Sequence, residues 1–323
     1  MAPLAITIGD PSGVGPEVTC KALAALPAAE RDSCVVIGHP DFLDRADRVT
    51  GSGLRFGDRP GEVRVIAVET PARETIRDGE ISAGGGHAAY GYVVKAVELA
   101  LAGKISVIVT APLNKAALHR AGHRYDGHTG LLQHLTGAPS SFMLLASEKL
   151  STIHVSTHVS LATAIRRTRR KRVLETIRAG HAHFRRLGLA RPRIACAGLN
   201  PHCGEGGLFG RQDMDEIAPA VEAARAEGID VQGPISPDTV FHRALGGAFD
   251  LVVAMYHDQG HIPTKLVAFD TTVNVSLGLP IQRTSVDHGT AFDIAWTGKA
   301  NHVNMLAALA YARRMAATAA KAA

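Results

Sequence analysis

His158, His202 and His257 stand in the runs V-S-T-H-V-S, L-N-P-H-C-G-E-G-G and D-L-V-V-A-M-Y-H-D-Q-G-H, each just past an expected β-strand and far apart in the chain. Imidazole is the commonest metal ligand near neutral pH, and three protein ligands with one open position is the layout of a reactive metal site rather than a structural one. The pattern therefore points to a catalytic metal centre that only folding could assemble. The chain holds 16 histidines in 323 residues, so a lone histidine is more often an ordinary polar or core residue. What singles out these three is their shared place at strand ends, beside Asp, Glu, Gly or Thr.

Other runs carry groups suited to anions. I-G-D-P-S-G-V-G-P-E, residues 8–17, follows a strand and opens a helix, with Pro16 suited to the first turn and Gly13 and Gly15 allowing a tight backbone path. It matches neither the dinucleotide fingerprint nor the Walker sequence, so a plain structural turn stands beside a ligand loop as its reading. T-A-P-L-N-K ends a strand with Thr110, Asn114 and Lys115, and Y-D-G-H-T-G brings His128 and Thr129. Singly, each could be a capping or turn residue. Lys265, Asn274 and Arg283 recur along K-L-V-A-F-D-T-T-V-N-V-S-L-G-L-P-I-Q-R, where an arginine fork or a lysine charge would suit carboxylate or phosphate oxygens.

The elements that must position these residues read as alternating short apolar strands and longer helical patterns: L-A-I-T-I then E-V-T-C-K-A-L-A-A-L; C-V-V-I-G; G-Y-V-V-K-A-V-E-L-A-L-A then I-S-V-I-V-T. That alternation is the mark of an α/β fold with a largely parallel sheet, in which ligands gather beyond the carboxyl ends of the strands. From about Asn301 the chain reads as one alanine-rich helix containing Leu306, Leu309 and Met315. R-F-G-D-R-P-G-E-V and G-E-I-S-A-G-G-G-H read as surface loops. At 323 residues the chain implies about two domains.

Composition narrows the function classes. Hydrophobic content of 46% and charged content of 20% describe a globular protein. No apolar run reaches the roughly 18 to 20 residues of a membrane helix, and the N-terminus has no basic start before an apolar stretch, so a cytoplasmic place away from membranes is expected. Cys20, Cys34, Cys196 and Cys203 are scattered without a C-x-x-C pair and read as free thiols, Cys203 adjoining His202. A net charge of +5 permits an anionic ligand. The basic run at 166–172 has no aromatic interleaving and leads straight into a helical pattern, which favours a solvated face or subunit contact over nucleic acid.

Taken in order, G-D-P-S-G-V-G-P-E, T-A-P-L-N-K, D-G-H-T, N-P-H-C-G-E-G-G, S-P-D-T-V-F, Y-H-D-Q-G-H-I-P-x-K and S-V-D-H-G-T-A-F-D-I-A-W-T-G-K-A-N resemble the 4-hydroxythreonine-4-phosphate dehydrogenase (PdxA-like) family from about Ile6 to Asn301. H-G-T-A-F-D-I-A is also similar to the adenine-side loop of isocitrate and isopropylmalate dehydrogenases, whose fold that family shares. The resemblance implies two α/β domains around a cleft, 1–125 with 284–323 and 126–283, and a homodimer with shared active sites. It places metal ligands at His158, His202 and His257, the last from the partner subunit, and substrate contacts at His128, Thr129, Lys265, Asn274 and Arg283. Similarity to the isocitrate-type loop gives His288, Gly289, Thr290 and Asp293 to NAD or NADP. Asp258, Asp238 and Lys115 are candidates for proton transfer or for orienting the ligands.

The activity so implied is NAD-dependent oxidation of the C3 hydroxyl of a 4-phosphorylated four-carbon acid, followed by loss of carbon dioxide. A divalent metal would act as Lewis acid. Histidine ligands suit zinc first, with cobalt or magnesium as alternatives. The spellings lean toward the 4-phospho-D-threonate or erythronate branch rather than 4-hydroxy-L-threonine phosphate. Two positions depart from the family pattern: Gly130 where glutamate is frequent, and Trp296 where glycine is usual. Two other classes stand as alternatives. One is a metal-dependent hydrolase, because H-D-Q-G-H shares the spacing of H-E-x-x-H, although Gly260 and Pro263 oppose the helix that pattern needs. The other is a non-catalytic binder of phosphorylated metabolites.

Overall fold

The structure, a computed structural model, describes residues 2–71 and 73–322. Two compact units emerge, one formed by residues 1–141 with 279–323 and the other by 142–278. Both are α/β.

The first unit begins with β1 (Leu4–Thr7), α1 (Gly15–Ala25), α2 (Ala28–Asp32), β2 (Cys34–Gly38), α3 (Pro40–Thr50) and β3 (Arg64–Ala67). It continues with α4 (Ala83–Leu101), β4 (Val107–Thr110), α5 (Lys115–Arg120) and α6 (His128–Thr136). The second unit holds β5 (Phe142–Ala146), β6 (Ser151–His154), α7 (Leu161–Arg167), α8 (Arg170–Arg186), β7 (Ile194–Ala197), α9 (Ala218–Ala226), β8 (Val231–Ile235), α10 (Pro237–Leu245), β9 (Leu251–Ala254), α11 (His257–Ala268) and β10 (Val273–Leu277). The chain then returns to the first unit for β11 (Arg283–Ser285) and α12 (Val303–Ala322).

In the first unit the strands run β3-β2-β1-β4-β11, and every pair is parallel. The β1, β2 and β4 strands are buried throughout, as continuous apolar strands covered on both faces must be. Successive strands leave β1 in opposite directions, β2 on one side and β4 on the other. The loops after β1 and β4 therefore diverge, and this switch point is where an open parallel sheet leaves room for a ligand.

In the second unit the order is β10-β5-β6-β9-β7-β8. The β10/β5 and β5/β6 pairs are antiparallel and the rest parallel. Residues 126–141 and 279–283, expected with the second domain, fall in the first unit. The reason is pairing: β11 lies in register with β4, Arg283 opposite Ile108, and α6 packs on α4.

Two local expectations are corrected. Gly79–His87 reads as a loop, yet α4 starts at Ala83, where the Ser82 hydroxyl accepts from Gly85 N–H at 3.0 Å. The glycines serve close approach, since a Cβ on Gly86 would lie 2.1 Å from the Ala117 carbonyl oxygen. Residues 257–268 are helical despite Gly260 and Pro263. Proline in a helix interior costs about 3 kcal/mol, and tertiary anchors offset it. The Gln259 side chain accepts from Met255 N–H at 2.6 Å and donates to the Gly198 carbonyl at 2.7 Å. Gly260 lies flush against His154, where a Cβ would sit 2.3 Å from Nε2. Among the described residues, no helix is long and apolar enough to cross a membrane.

Candidate active site

In the second unit β6 and β9 are parallel neighbours with His154 opposite Ala254, so the loops leaving their carboxyl ends start side by side. The first carries His158, and the second ends at His257, the first residue of α11. Their rings lie 5.7 Å apart. Asp258 Oδ1 is 2.6 Å from His257 Nδ1, the relation by which a carboxylate fixes the tautomer and orientation of a ligating imidazole.

His202 follows β7, the other neighbour of β9, on a backbone of unusual form. His202, Cys203, Gly204, Glu205 and Gly206 all have left-handed φ, from 44 to 82°. For the non-glycine members that costs roughly 1–2 kcal/mol each. The segment is held by buried Asp213, whose carboxylate accepts from Leu199 N–H at 2.7 Å, Asn200 N–H at 3.1 Å and Asn200 Nδ2 at 2.8 Å. Asp238 lies within electrostatic reach of His202; its carboxyl is held below the ordinary range first by the Ser236 hydroxyl at 2.6 Å, with His202 contributing. His202 does not join the other two: among the described residues no group of three or more His, Cys, Asp and Glu side chains is arranged to hold a metal ion. The imidazoles and their carboxylate partners fit a divalent ion in donor type.

Two buried histidines outside the expected set, His154 and His261, pack behind His257. His261 lies face to face with His257, centroids 3.6 Å and planes 13° apart. Its Nδ1 is 3.0 Å from the His257 carbonyl oxygen and 3.1 Å from His154 Nε2. Burial pushes His154 down to about 4, and burial followed by the neighbouring imidazoles pushes His261 to about 2, so both are neutral near pH 7. The stack also disposes of the hydrolase pattern. Ring nitrogens bind metal in the ring plane, and two nearly parallel stacked rings do not converge on one ion. Lys265 follows two turns after His257 on α11, with its Nζ 5.6 Å from the Phe269 ring. Asn274 stands in β10 opposite Leu145, its Oδ1 buried without a hydrogen-bond partner.

In the first unit Arg283 is fully buried at the end of the sheet. Its Nη2 and Nε donate to Thr110 Oγ1 at 2.7 and 3.2 Å. Burial lowers its pKa to about 9, which leaves it cationic at neutral pH. His128 opens α6 with Nε2 buried and unpartnered. Burial, and then the charge of Arg283, hold its imidazole well below the usual range, so it is neutral. Thr129 follows it. Lys115 opens α5, capped by Asn114, and runs against Gly127, where a Cβ would lie 3.4 Å from Lys115 Cε. The Gly130 departure has a local cause: a Cβ there would lie 2.2 Å from Asp126 Oδ1, so the Asp126 carboxylate occupies that space.

The loop carrying His288, Gly289, Thr290 and Asp293 packs on the turn after β1. Val14 N–H donates to the Thr290 carbonyl at 3.0 Å, and a Cβ on Gly13 would lie 2.8 Å from that same oxygen. His288 Nδ1 is 2.9 Å from the Gly289 carbonyl oxygen. Buried Glu17 fastens the loop's far end, accepting from Trp296 N–H at 2.5 Å and Gly298 N–H at 2.6 Å. Asp10, also buried, accepts from Ser12 N–H at 2.9 Å and is raised to about 6 by desolvation. Glu17, Asp213, His154 and His261 escape sequence reasoning because each acts through burial and a distant partner. Only His261 had a signal, its place one helical turn after His257.

A family model described as "Pyridoxal phosphate biosynthetic protein PdxA" matches residues 30–312. The chain belongs to the PdxA family. One PdxA relative, "D-threonate 4-phosphate dehydrogenase" of Pectobacterium atrosepticum, is 45% identical over 97% of this chain and 99% of its own length. Another, "4-hydroxythreonine-4-phosphate dehydrogenase" of Geobacter metallireducens, is 45% identical over 97% of this chain and 95% of its own. Among solved structures, 4-hydroxythreonine-4-phosphate dehydrogenase from Klebsiella pneumoniae superposes with a TM-score of 0.87 at 45% identity, covering 98% of this chain and 100% of that one. Membership covers the parts of both units that carry the candidate residues, and both dehydrogenase names occur among relatives 45% identical.

Proposed function

We propose that this PdxA-family chain is an NAD-dependent dehydrogenase that oxidises the C3 hydroxyl of a 4-phosphorylated four-carbon acid, with 4-phospho-D-threonate as the favoured substrate. The observation that carries the reading is the desolvated cation Arg283 beside neutral His128, a setting that favours an anionic substrate group with a hydroxyl or carboxylate near the imidazole. Oxidation moves hydride from C3 to the nicotinamide ring and the hydroxyl proton to a base. The resulting β-keto acid loses its C1 carboxylate as carbon dioxide, and protonation at C2 gives dihydroxyacetone phosphate. An amine at C2 would give 3-amino-2-oxopropyl phosphate instead.

In this reading Arg283 and Lys265 hold substrate anions, and His128, Thr129 and Asn274 orient its hydroxyl groups. Lys115 and Asp238 are the candidates to exchange protons. Asp258 keeps His257 in one tautomer. A divalent ion, zinc first by donor type, with cobalt or magnesium as alternatives, would be held by His158, His202 and His257 and would supply Lewis acidity when bound. His288, Gly289, Thr290 and Asp293 hold NAD or NADP.

We further propose a homodimer in which the partner's His257 completes the ligand set. One feature supports it: the helix that carries His257 exposes Ile262 (57%) and Leu266 (81%), and Phe269 (70%) follows at its carboxyl end. A stripe at that spacing on a helix is the form of a surface that a second copy buries.

The test is NADH absorbance with metal-supplemented protein given 4-phospho-D-threonate, 4-phospho-D-erythronate or 4-hydroxy-L-threonine phosphate. Turnover of the first above the others is expected. Silence on all three would remove the proposed activity, and preference for the third would move the substrate to the amine-bearing class.

A further inference from the structure

Trp296 is the only tryptophan of the chain and takes a left-handed backbone, φ 62°. That conformation explains why glycine suits the position, and the Glu17 carboxylate on the Trp296 N–H explains how a larger residue is kept there. The indole does not project into solvent. It is 8% exposed, its Nε1 donates to the Pro11 carbonyl at 2.9 Å, and the Arg45 guanidinium covers its face at 4.1 Å. Arg45 in turn is gripped edge-on by Asp78, Nη1 to Oδ1 at 2.8 Å and Nη2 to Oδ2 at 2.5 Å. The two side chains are 40% and 44% exposed, so this ion pair caps the tryptophan toward solvent.

Asp78 adjoins the proposed cofactor loop directly. The next residue, Gly79, donates its N–H to the Ser12 carbonyl at 2.8 Å, and a Cβ on Gly79 would lie 2.5 Å from the Phe292 carbonyl oxygen. Arg45 covers Trp296, whose indole bonds Pro11 in the turn after β1, so the pair sits beside the turn at the carboxyl end of that strand.

We propose that the Arg45–Asp78 pair, seated on Trp296, selects the cofactor: the Asp78 carboxylate accepts from the adenosine ribose 2′-hydroxyl and holds Arg45 neutralised, so that NAD is taken in preference to NADP. The inference rests on the reading that residues 288–293 hold a nicotinamide cofactor. A carboxylate at that ribose favours a hydroxyl and repels a 2′-phosphate, whereas a free arginine fork does the reverse. Both terminal nitrogens of Arg45 are spent on Asp78, and stacking on the indole keeps the guanidinium from turning away. Close by, Arg73 is similarly held by Asp41, Nη1 to Oδ2 at 2.6 Å.

The experiment compares kcat/KM for NAD and NADP in the wild-type protein, Asp78→Asn and the double variant Asp78→Asn/Arg45→Met. Binding of NADH and NADPH is followed in parallel by Trp296 fluorescence and calorimetry. The wild type should prefer NAD, and Asp78→Asn should raise the NADP/NAD ratio by on the order of tenfold, a gain the double variant loses. Wild-type preference for NADP, or a ratio moved by less than about twofold in a folded Asp78→Asn protein, would overturn the inference while cofactor binding itself stands. If neither NADH nor NADPH binds the wild-type protein, the cofactor-loop reading and the inference fall together.

Discussion

At Arg283 burial and charge pull in opposite directions: a guanidinium is costly to desolvate, yet this one lies inside the first unit on Thr110 Oγ1. An anionic substrate would offset that cost through charge-assisted hydrogen bonds worth roughly 1.5–3 kcal/mol each. Arg283→Lys, which keeps the charge and loses the fork, should therefore lower kcat/KM by roughly ten- to a hundredfold, and steady-state kinetics would check it. His128 makes a prediction about pH. Its folded pKa lies well below 6.5, so below about 6.5 the unfolded chain binds a proton that the folded chain refuses. Its contribution to stability is thus fully present above that value and falls as pH drops. Asp10 has the opposite sign: raised from 3.8 to about 6, its contribution is present below 3.8 and lost as pH rises through 6. His128→Gln should flatten the decline of melting temperature between pH 6.5 and about 5; an unchanged slope would show that His128 is not held neutral.

At the scale of elements, α11 shows why a helix can form where local preference opposes it. Gly260 is there for contact with His154, and Gly260→Ala would drive a Cβ to 2.3 Å from that ring. The variant should lose about 1–3 kcal/mol in denaturant unfolding; a neutral result would mean His154 has room to move. Much of the architecture is legible in the residues. The runs L-A-I-T-I, C-V-V-I-G and I-S-V-I-V-T coincide with β1, β2 and β4, and the alanine-rich end with α12. What sequence hides is tertiary. The glycines of α4 read as a loop because their reason, the Ala117 carbonyl and the Asp10 carboxylate, lies elsewhere in the chain. The strand-end places of His158, His202 and His257 are legible in the sequence, but Asp213, which pins the left-handed turn beneath His202, carries no mark of its role.

At the scale of the whole molecule, the proposed dimer would bury the apolar residues exposed on and after the helix of His257 and would make assembly part of the chemistry. Mixing inactive His257→Ala with inactive His202→Ala should restore activity to about a quarter of wild type, because half of randomly mixed dimers would hold one intact site of two. Were His257 to serve its own subunit, the mixture would stay inactive. The central claim, oxidation coupled to decarboxylation, is tested most directly by giving the metal-supplemented protein NAD and 4-phospho-D-threonate labelled at C1, and measuring NADH and labelled carbon dioxide in one reaction. The account predicts the two in equal amounts, with dihydroxyacetone phosphate as the remaining product. NADH without carbon dioxide, or phosphate release without NADH, would contradict it.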